Sequence, residues 1–471
     1  MISVSLTWIA DKVQGRILNC APDIASETLI QGVSTDTRTV GKNDLFIALQ
    51  GPNFDGHKFV EQAQKGGALA LIVAHKVDSN LAQILVTDTK QALGLLASAV
   101  KQSVNPKTVA ITGSSGKTTV KEMVAAILSR RGKVLATKGN FNNDIGVPLT
   151  LLRLESDHEY AVMELGANHL GEIAYTTGLV KPDVATIVNA AAAHLEGFGS
   201  LLGVARAKSE IFRGLSKDGL ALLNADSQFY TFWKEKLGHL RIQTFGTSCE
   251  ADFQAQDVVL GLNGCADFLL RSPNGSVSIS LPLPGVHNVS NALAAAALSL
   301  EVGASLEDIR DGLQYMAQVS GRLQVKQLTR QVKILDDTYN ANVASVNAAI
   351  DLLASFAGRR VLVLGDMAEL GERARFYHQQ VGQYAQEKGI DQLYSVGVLS
   401  QSASDVFAKN GRHFSDKSTL VSALTACLST EKRDISILVK GSRSARMEDV
   451  VSALEDSPVG KSERFREQIA C

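Results

Sequence analysis

Three α/β domains built on parallel sheets are the fold that the sequence predicts, and three observations predict it. The 471 residues exceed what one hydrophobic core serves, so two or three domains are required. Short apolar runs alternate with helical patterns along most of the chain, the rhythm of strands covered by helices. Between one such run and one such helix lies a glycine-rich stretch, "AITGSSGKTTVKEM", from Ala110 to Met123.

The first segment, residues 1–86, mixes apolar runs such as "DLFIAL" and "ALALIVA" with turn-rich stretches such as "QGPNFDGHK", and reads as a small α/β unit. The second, 87–321, opens on the helical pattern "KQALGLLASAVKQSV", closed by Pro106. Its runs "TVAIT", "YAVMELG" and "DVATIVNA" then predict a parallel sheet. The third, 322–471, repeats the rhythm through "VKILDD", "RRVLVLGDM", "QLYSVG" and "DISILVKGS", a second open α/β sheet. No short-period repeat or low-complexity tract interrupts it.

Composition excludes several classes. The 47 basic residues almost balance the 48 acidic ones, for a net charge of -1, which argues against a nucleic-acid-binding surface or a polybasic membrane anchor. The longest apolar stretch, "NALAAAALSLEV" from Asn291, is too short to span a bilayer, so no stable membrane insertion is expected. Cys20, Cys249, Cys265, Cys427 and Cys471 lie far apart without metal-ligand spacing, which suits a reducing compartment. The opening "MISVSLTWIADKVQG" lacks a basic n-region and meets Asp11 early, so no secretory signal is expected and the predicted location is the cytoplasm.

The glycine-rich stretch carries the chemistry. "TVAIT" supplies a strand, and Val120, Met123, Val124, Ile127 and Leu128 form one helical face after it. Between them Gly113, Ser114, Ser115, Gly116, Lys117, Thr118 and Thr119 make a short G-x-x-G-K-T loop. Backbone N–H groups and a helix N-terminus would face an anion, Lys117 would neutralise outer phosphates, and Thr118 would ligate magnesium. The spacing is shorter than the general G-x-x-x-x-G-K-T, and the competing reading is a flexible turn with a solvated lysine. A nucleotide, ATP or GTP, is the expected ligand.

Kinases, ATP-driven machines and ATP-dependent ligases all use such loops, and later residues must separate them. Asn140, Asn142 and Asn143 in "GNFNND" serve either a turn or a polar ligand. Glu164 ends an apolar run, where a sheet collects ligands, as a metal ligand or as a capping carboxylate. His194 taken alone reads as packed or solvated more readily than as a ligand, and Lys208 taken alone as a surface lysine.

The ordered set "TGSSGKTT", "GNFNNDIGVP", "ELGANHLGEI", "AAHLEGFGS", "AKSEIF", "GVHNVSNALAAAA", "SGRLQ", "DDTYNANVAS" and "GDMAELG" resembles the Mur ligases of bacterial peptidoglycan synthesis, from Ser34 to Val451. The wording is most similar to the branch that adds D-alanyl-D-alanine. The resemblance implies an N-terminal UDP-sugar-binding domain, a central P-loop-type ATPase domain and a Rossmann-like C-terminal domain for the incoming amine. It implies a reaction in which ATP phosphorylates the terminal carboxylate of UDP-MurNAc-tripeptide and D-Ala-D-Ala then attacks the acyl phosphate.

Matched residue by residue, the resemblance implies that Thr118 and Glu164 hold one magnesium and that His194 helps to hold a second. It implies that Lys208 is carbamylated and joins the metal site, and that Lys117, His194 and Lys208 are catalytic. Asn288 and Asn291 would lie near adenine, with an N-cap role for the helix as the alternative. Arg322 would reach the phosphates and Asp337 the ribose. Tyr339, Asn340 and Asn342 would serve ATP or the dipeptide, the asparagines at 140, 142 and 143 the substrate, and Ser34, Thr35, Asp36 and Arg38 the UDP-sugar. A monomer that closes on its substrates is expected. Competing readings are a sibling amide ligase, either third-residue-adding or of the folylpolyglutamate synthase type, a P-loop phosphotransferase, and a non-catalytic nucleotide switch. No G-x-G-x-x-G is present, so NAD binding is rejected.

Overall fold

Buried aliphatic runs form the middle of three separate sheets in the computed structural model, which describes residues 1–192, 195–317, 321–431 and 433–459. The N-terminal sheet has five strands in the order Arg16–Leu18, Ala82–Leu85, Ala68–Val73, Asp44–Ile47 and Gly32–Ser34. Its first pair is antiparallel and the others are parallel.

The central sheet has nine strands, and its parallel part places the glycine-rich loop. The strand Lys107–Thr112 lies between His158–Glu164 and Val184–Ile187, parallel to both. Register pairs Ile111 with Glu164 and Thr112 with Ile187, so these strands end together beside the loop. Helix Lys117–Leu128 follows, and the predicted face of Val120, Met123, Val124, Ile127 and Leu128 is fully buried. Helix His287–Glu301, rich in alanine, packs closely against it. Small side chains let two helix backbones approach, which brings Asn291 alongside Gly116.

Three further strands extend this sheet: Phe253–Leu260 lies parallel to Arg241–Gly246, and Cys265–Ser272 and Gly275–Pro284 follow in antiparallel order. The parallel-sheet expectation did not include them. Their signal is a period of two, with Ala266, Phe268 and Leu270 buried on one strand and Ile279, Leu281 and Leu283 on the next. Asparagine–glycine pairs at 263–264 and 274–275 mark the two turns.

The C-terminal sheet has six strands: Gln324–Gln327, Val332–Asp337, Ile435–Lys440, Arg359–Gly365, Gln392–Val396 and Gly411–Phe414. Only the first is antiparallel to its neighbour. One apolar cluster runs from Leu6, Leu45 and Ile72 of the first domain into Met163, Leu165 and Ile211 of the second. The buried clusters of the C-terminal sheet, by contrast, begin at Leu323 and contain no earlier residue among those described.

Candidate functional site

Gly116 adopts φ +76° at the N-terminus of helix Lys117–Leu128, a conformation open to glycine and costly for other residues. The loop before it is shaped by Asn189, which follows the neighbouring strand. Its Oδ1 accepts from the backbone N–H of Ser114 (3.1 Å) and Ser115 (2.9 Å), and its Nδ2 donates to Ser115 O (3.1 Å). Ser114 Oγ donates to Ala191 O (3.0 Å) and accepts from Ala191 N–H (2.9 Å). The sequence reading missed Asn189, because its partners lie about 75 residues away, as the separation of 74 to Ser115 shows.

Lys117 folds back over the loop, and its Nζ donates to Gly113 O (2.8 Å). Loss of water pushes this ammonium below its ordinary pKa; Glu164 opposes the shift and Arg322 adds to it. Thr118 Oγ1 donates to Glu164 Oε2 (2.8 Å) and accepts from Arg322 Nη2 (2.9 Å). Asn142 Nδ2 donates to Glu164 Oε1 (2.9 Å). The Glu164 carboxylate, 2 % exposed, therefore faces the loop and caps no helix.

Lys208 lies on helix Leu201–Ser209 and is 2 % exposed, with no hydrogen-bond or ion-pair partner among the described residues. Burial, and then the charge of Lys117, push its ammonium well below the ordinary lysine value. The surface-lysine reading of Lys208 is thereby overturned. His194 lies outside the described residues.

A cavity of about 220 Å³ adjoins the loop and is lined from two domains. Ser114 to Thr119, Asn288 and Asn291 come from the central domain, and Arg322, Asp337, Asn340 and Asn342 from the C-terminal one. Asn288 does not cap its helix, which begins at His287 behind Val286; its Nδ2 donates instead to Pro284 O (2.8 Å) and its Oδ1 accepts from Asn291 Nδ2 (2.9 Å). Asn342 does cap a helix, Val343–Ser355, through Oδ1 to Ser345 N–H (2.9 Å), while its Nδ2 donates across the domains to Ser114 O (3.1 Å).

Asp337 is paired with Lys440, its register partner on the adjoining strand, and Lys440 Nζ also donates to Asn340 O (3.0 Å). Lys440, also in the cavity wall, had no sequence signal, because its partner is 103 residues earlier. Tyr339 stands outside the lining and stacks under the Arg322 guanidinium at 4.3 Å. His287 completes the wall, and burial pushes its imidazole below the ordinary value.

Other expected residues lie elsewhere. Asn143 Oδ1 accepts from Gly146 N–H (2.8 Å) and starts helix Gly146–Leu151 as a turn residue. Asn140 is exposed on the same loop, and its carbonyl accepts from Asn142 N–H (2.7 Å). Ser34, Thr35, Asp36 and Arg38 sit in the N-terminal domain, away from this cavity's wall. Arg38 pairs with Asp36 (2.5 Å), holding that carboxyl at about 2, and Ser34 shares a hydrogen bond with Thr39 (3.0 Å).

Three family models match the chain: the Mur ligase family catalytic domain over residues 29–131, the Mur ligase middle domain over 111–299 and the Mur ligase glutamate ligase domain over 321–443. The UDP-N-acetylmuramoyl-tripeptide–D-alanyl-D-alanine ligase of Escherichia coli K12 is 49% identical over 458 residues, 97% of this chain and 99% of that protein. A crystal structure of MurF from Acinetobacter baumannii superposes with TM-score 0.91 at 39% identity, covering 97% and 99% of the two chains. MurF from Thermotoga maritima, solved in complex with ADP, superposes with TM-score 0.82 at 27% identity, covering 92% and 98%.

Proposed function

The chain belongs to the Mur ligase family, and from that premise we propose that it is the ATP-dependent ligase joining D-alanyl-D-alanine to UDP-N-acetylmuramoyl-tripeptide. The observation that carries this reading is the two-domain cavity, in which the loop of the central domain meets Arg322, Asp337 and Asn342 of the next domain. A nucleotide switch needs the loop alone. A ligase must bring a phosphate, a carboxylate and an amine together, and walls from separate domains allow it.

A carboxylate is a poor acyl donor, because oxide is a bad leaving group. In the proposed reaction a carboxylate oxygen of the tripeptide attacks the γ-phosphorus of ATP and ADP leaves. The amine of D-Ala-D-Ala then attacks the acyl carbon, loses a proton, and inorganic phosphate departs with the oxygen that came from the carboxylate. Ser114 to Thr119 are proposed to hold the phosphates, Lys117 and Arg322 to offset the charge that two approaching anions bring, and Asn288, Asn291 and Asp337 to seat the nucleoside. Tyr339, Asn340 and Asn342 are assigned to the ATP or dipeptide side. Ser34, Thr35, Asp36 and Arg38 are assigned to the UDP-sugar, with Asn140, Asn142 and Asn143 on the substrate side.

Hard oxygen donors suit magnesium, and the buried Glu164 carboxylate 2.8 Å from Thr118 Oγ1 fits such an ion. Thr118 and Glu164 would hold it, and His194 a second. When bound, magnesium would screen the γ-phosphate and the carboxylate from each other. Lys208 fits carbamylation: a buried amine without a partner among the described residues, held toward its neutral form by burial and the charge of Lys117, has the free electron pair that CO2 requires. The product carbamate is an anion, able to pair with a cation where the ammonium would repel it. In ¹³C-bicarbonate the protein should show a carbamate carbonyl resonance that Lys208→Arg lacks.

The proposed division is a UDP-sugar domain over 1–86, an ATP domain over 87–321 and an amine-binding domain over 322–471. A monomer is proposed. The proposed location is the cytoplasm; Cys20, Cys249, Cys265 and Cys427 are free thiols, and no described helix is long and apolar enough to cross a membrane. The test is phosphate release from ATP and magnesium with UDP-MurNAc-tripeptide, with and without D-Ala-D-Ala. Release that needs both, with a pentapeptide product by mass, is expected. Release only with a shorter precursor and a free amino acid would assign the chain to a sibling branch.

A further inference from the structure

Lys121 is 2 % exposed on the helix that carries Thr118, one turn further along the same side, and the reaction above gives it no part. Burying an ammonium is costly unless it is hydrogen-bonded, so its partners indicate what it does. Its Nζ donates to Thr137 O (2.7 Å) and to the half-exposed carboxylate of Glu122 (2.5 Å).

Thr137, 1 % exposed, directly follows the edge strand Lys133–Ala136. Its N–H donates to Val162 O (3.1 Å), and its Oγ1 accepts from the backbone N–H of Glu164 (3.0 Å). One residue therefore ties the lysine to the backbone that presents Glu164, whose carboxylate meets Thr118 back on the starting helix. The path closes a ring: Thr118, helix, Lys121, Thr137, Glu164 and Thr118 again.

We propose that Lys121 is a positioning residue that, through Thr137, fixes the spacing between Thr118 and Glu164 and so sets the magnesium affinity of the nucleotide site. The inference rests on the assignment of Thr118 and Glu164 to magnesium. Edge strands are held from one side only, so the segment that carries Thr137 gains most from a second anchor.

The test measures binding of a fluorescent ADP analogue against magnesium concentration, in the full chain, for Lys121→Met, Lys121→Arg and Thr137→Val, with Glu164→Gln alongside. Groups that orient a metal ligand are worth roughly ten- to a hundredfold in metal affinity. Lys121→Met should raise the magnesium midpoint by roughly tenfold or more and leave nucleotide affinity without magnesium unchanged. Thr137→Val should shift the midpoint in the same direction, the double variant should shift it no further than the larger single change, and Lys121→Arg should recover most of the loss. At saturating magnesium the turnover of Lys121→Met should return toward that of the parent.

If Lys121→Met only lowers the melting temperature while Glu164→Gln moves the midpoint, the positioning role is overturned and the magnesium assignment stands. If Glu164→Gln does not move the midpoint either, the magnesium assignment fails and the role of Lys121 fails with it. Should Lys121→Met not fold, Thr137→Val and Lys121→Arg decide: an unmoved midpoint in Thr137→Val overturns the proposal.

Discussion

Lys208 shows what a single buried charge does. Its folded pKa lies well below the ordinary value of 10.5, so between the two the unfolded chain binds more protons than the folded one. Stability must then rise with pH across that window and be lost as pH falls through it. Lys208→Met removes the penalty, so in bicarbonate-free buffer it should melt higher than the parent at pH 7, with the gain shrinking as pH approaches 10. Thermal melts at several pH values check this, and an equal gain at every pH would contradict it. The same residue marks a limit of sequence reading: nothing local distinguishes a buried lysine from a solvated one, and only the family resemblance singled it out. Asn189 and Lys440 escaped for the complementary reason, that each acts on a partner supplied by a distant strand.

At the scale of elements, the strand, loop and helix around Gly116 were legible because apolar periodicity and turn chemistry are local properties. The three strands that widen the central sheet beyond Arg241–Gly246 were not read out, although their alternation and Asn-Gly turns are present, because the rhythm of a parallel sheet covered by helices describes only the strands before them. Helix Val343–Ser355 offers an elemental test, because Asn342 does two jobs with opposite ends of one amide. Asn342→Asp keeps the oxygen that caps Ser345 N–H and loses the donor to Ser114 O. The melting temperature should change by no more than a degree or two, since an aspartate caps about as well as an asparagine, whereas the KM for ATP should rise about tenfold, a cost of roughly 1.4 kcal/mol. Steady-state kinetics with a parallel melt separates the two, and an unchanged KM would show that the bond between domains is idle.

Across the whole molecule the apolar clusters divide the chain unequally. The first domain shares a core with the second, while the described C-terminal clusters start at Leu323 and stand alone, joined to the loop through polar contacts such as Arg322 to Thr118. Calorimetry should therefore resolve two transitions, one for the first two domains together and one for the C-terminal domain. A single two-state transition would contradict that division. Saturating ATP analogue at about 100 times its Kd should stabilise the domains that hold it by about 2.7 kcal/mol. A molecule arranged so suits a reaction whose reactants arrive on different domains, and the chemistry itself is open to one direct trial. UDP-MurNAc-tripeptide labelled with ¹⁸O in its terminal carboxylate is turned over with ATP and D-Ala-D-Ala, and the masses of phosphate and peptide are read. The account predicts one labelled oxygen in the inorganic phosphate and one fewer in the pentapeptide; phosphate that carries no label would contradict it.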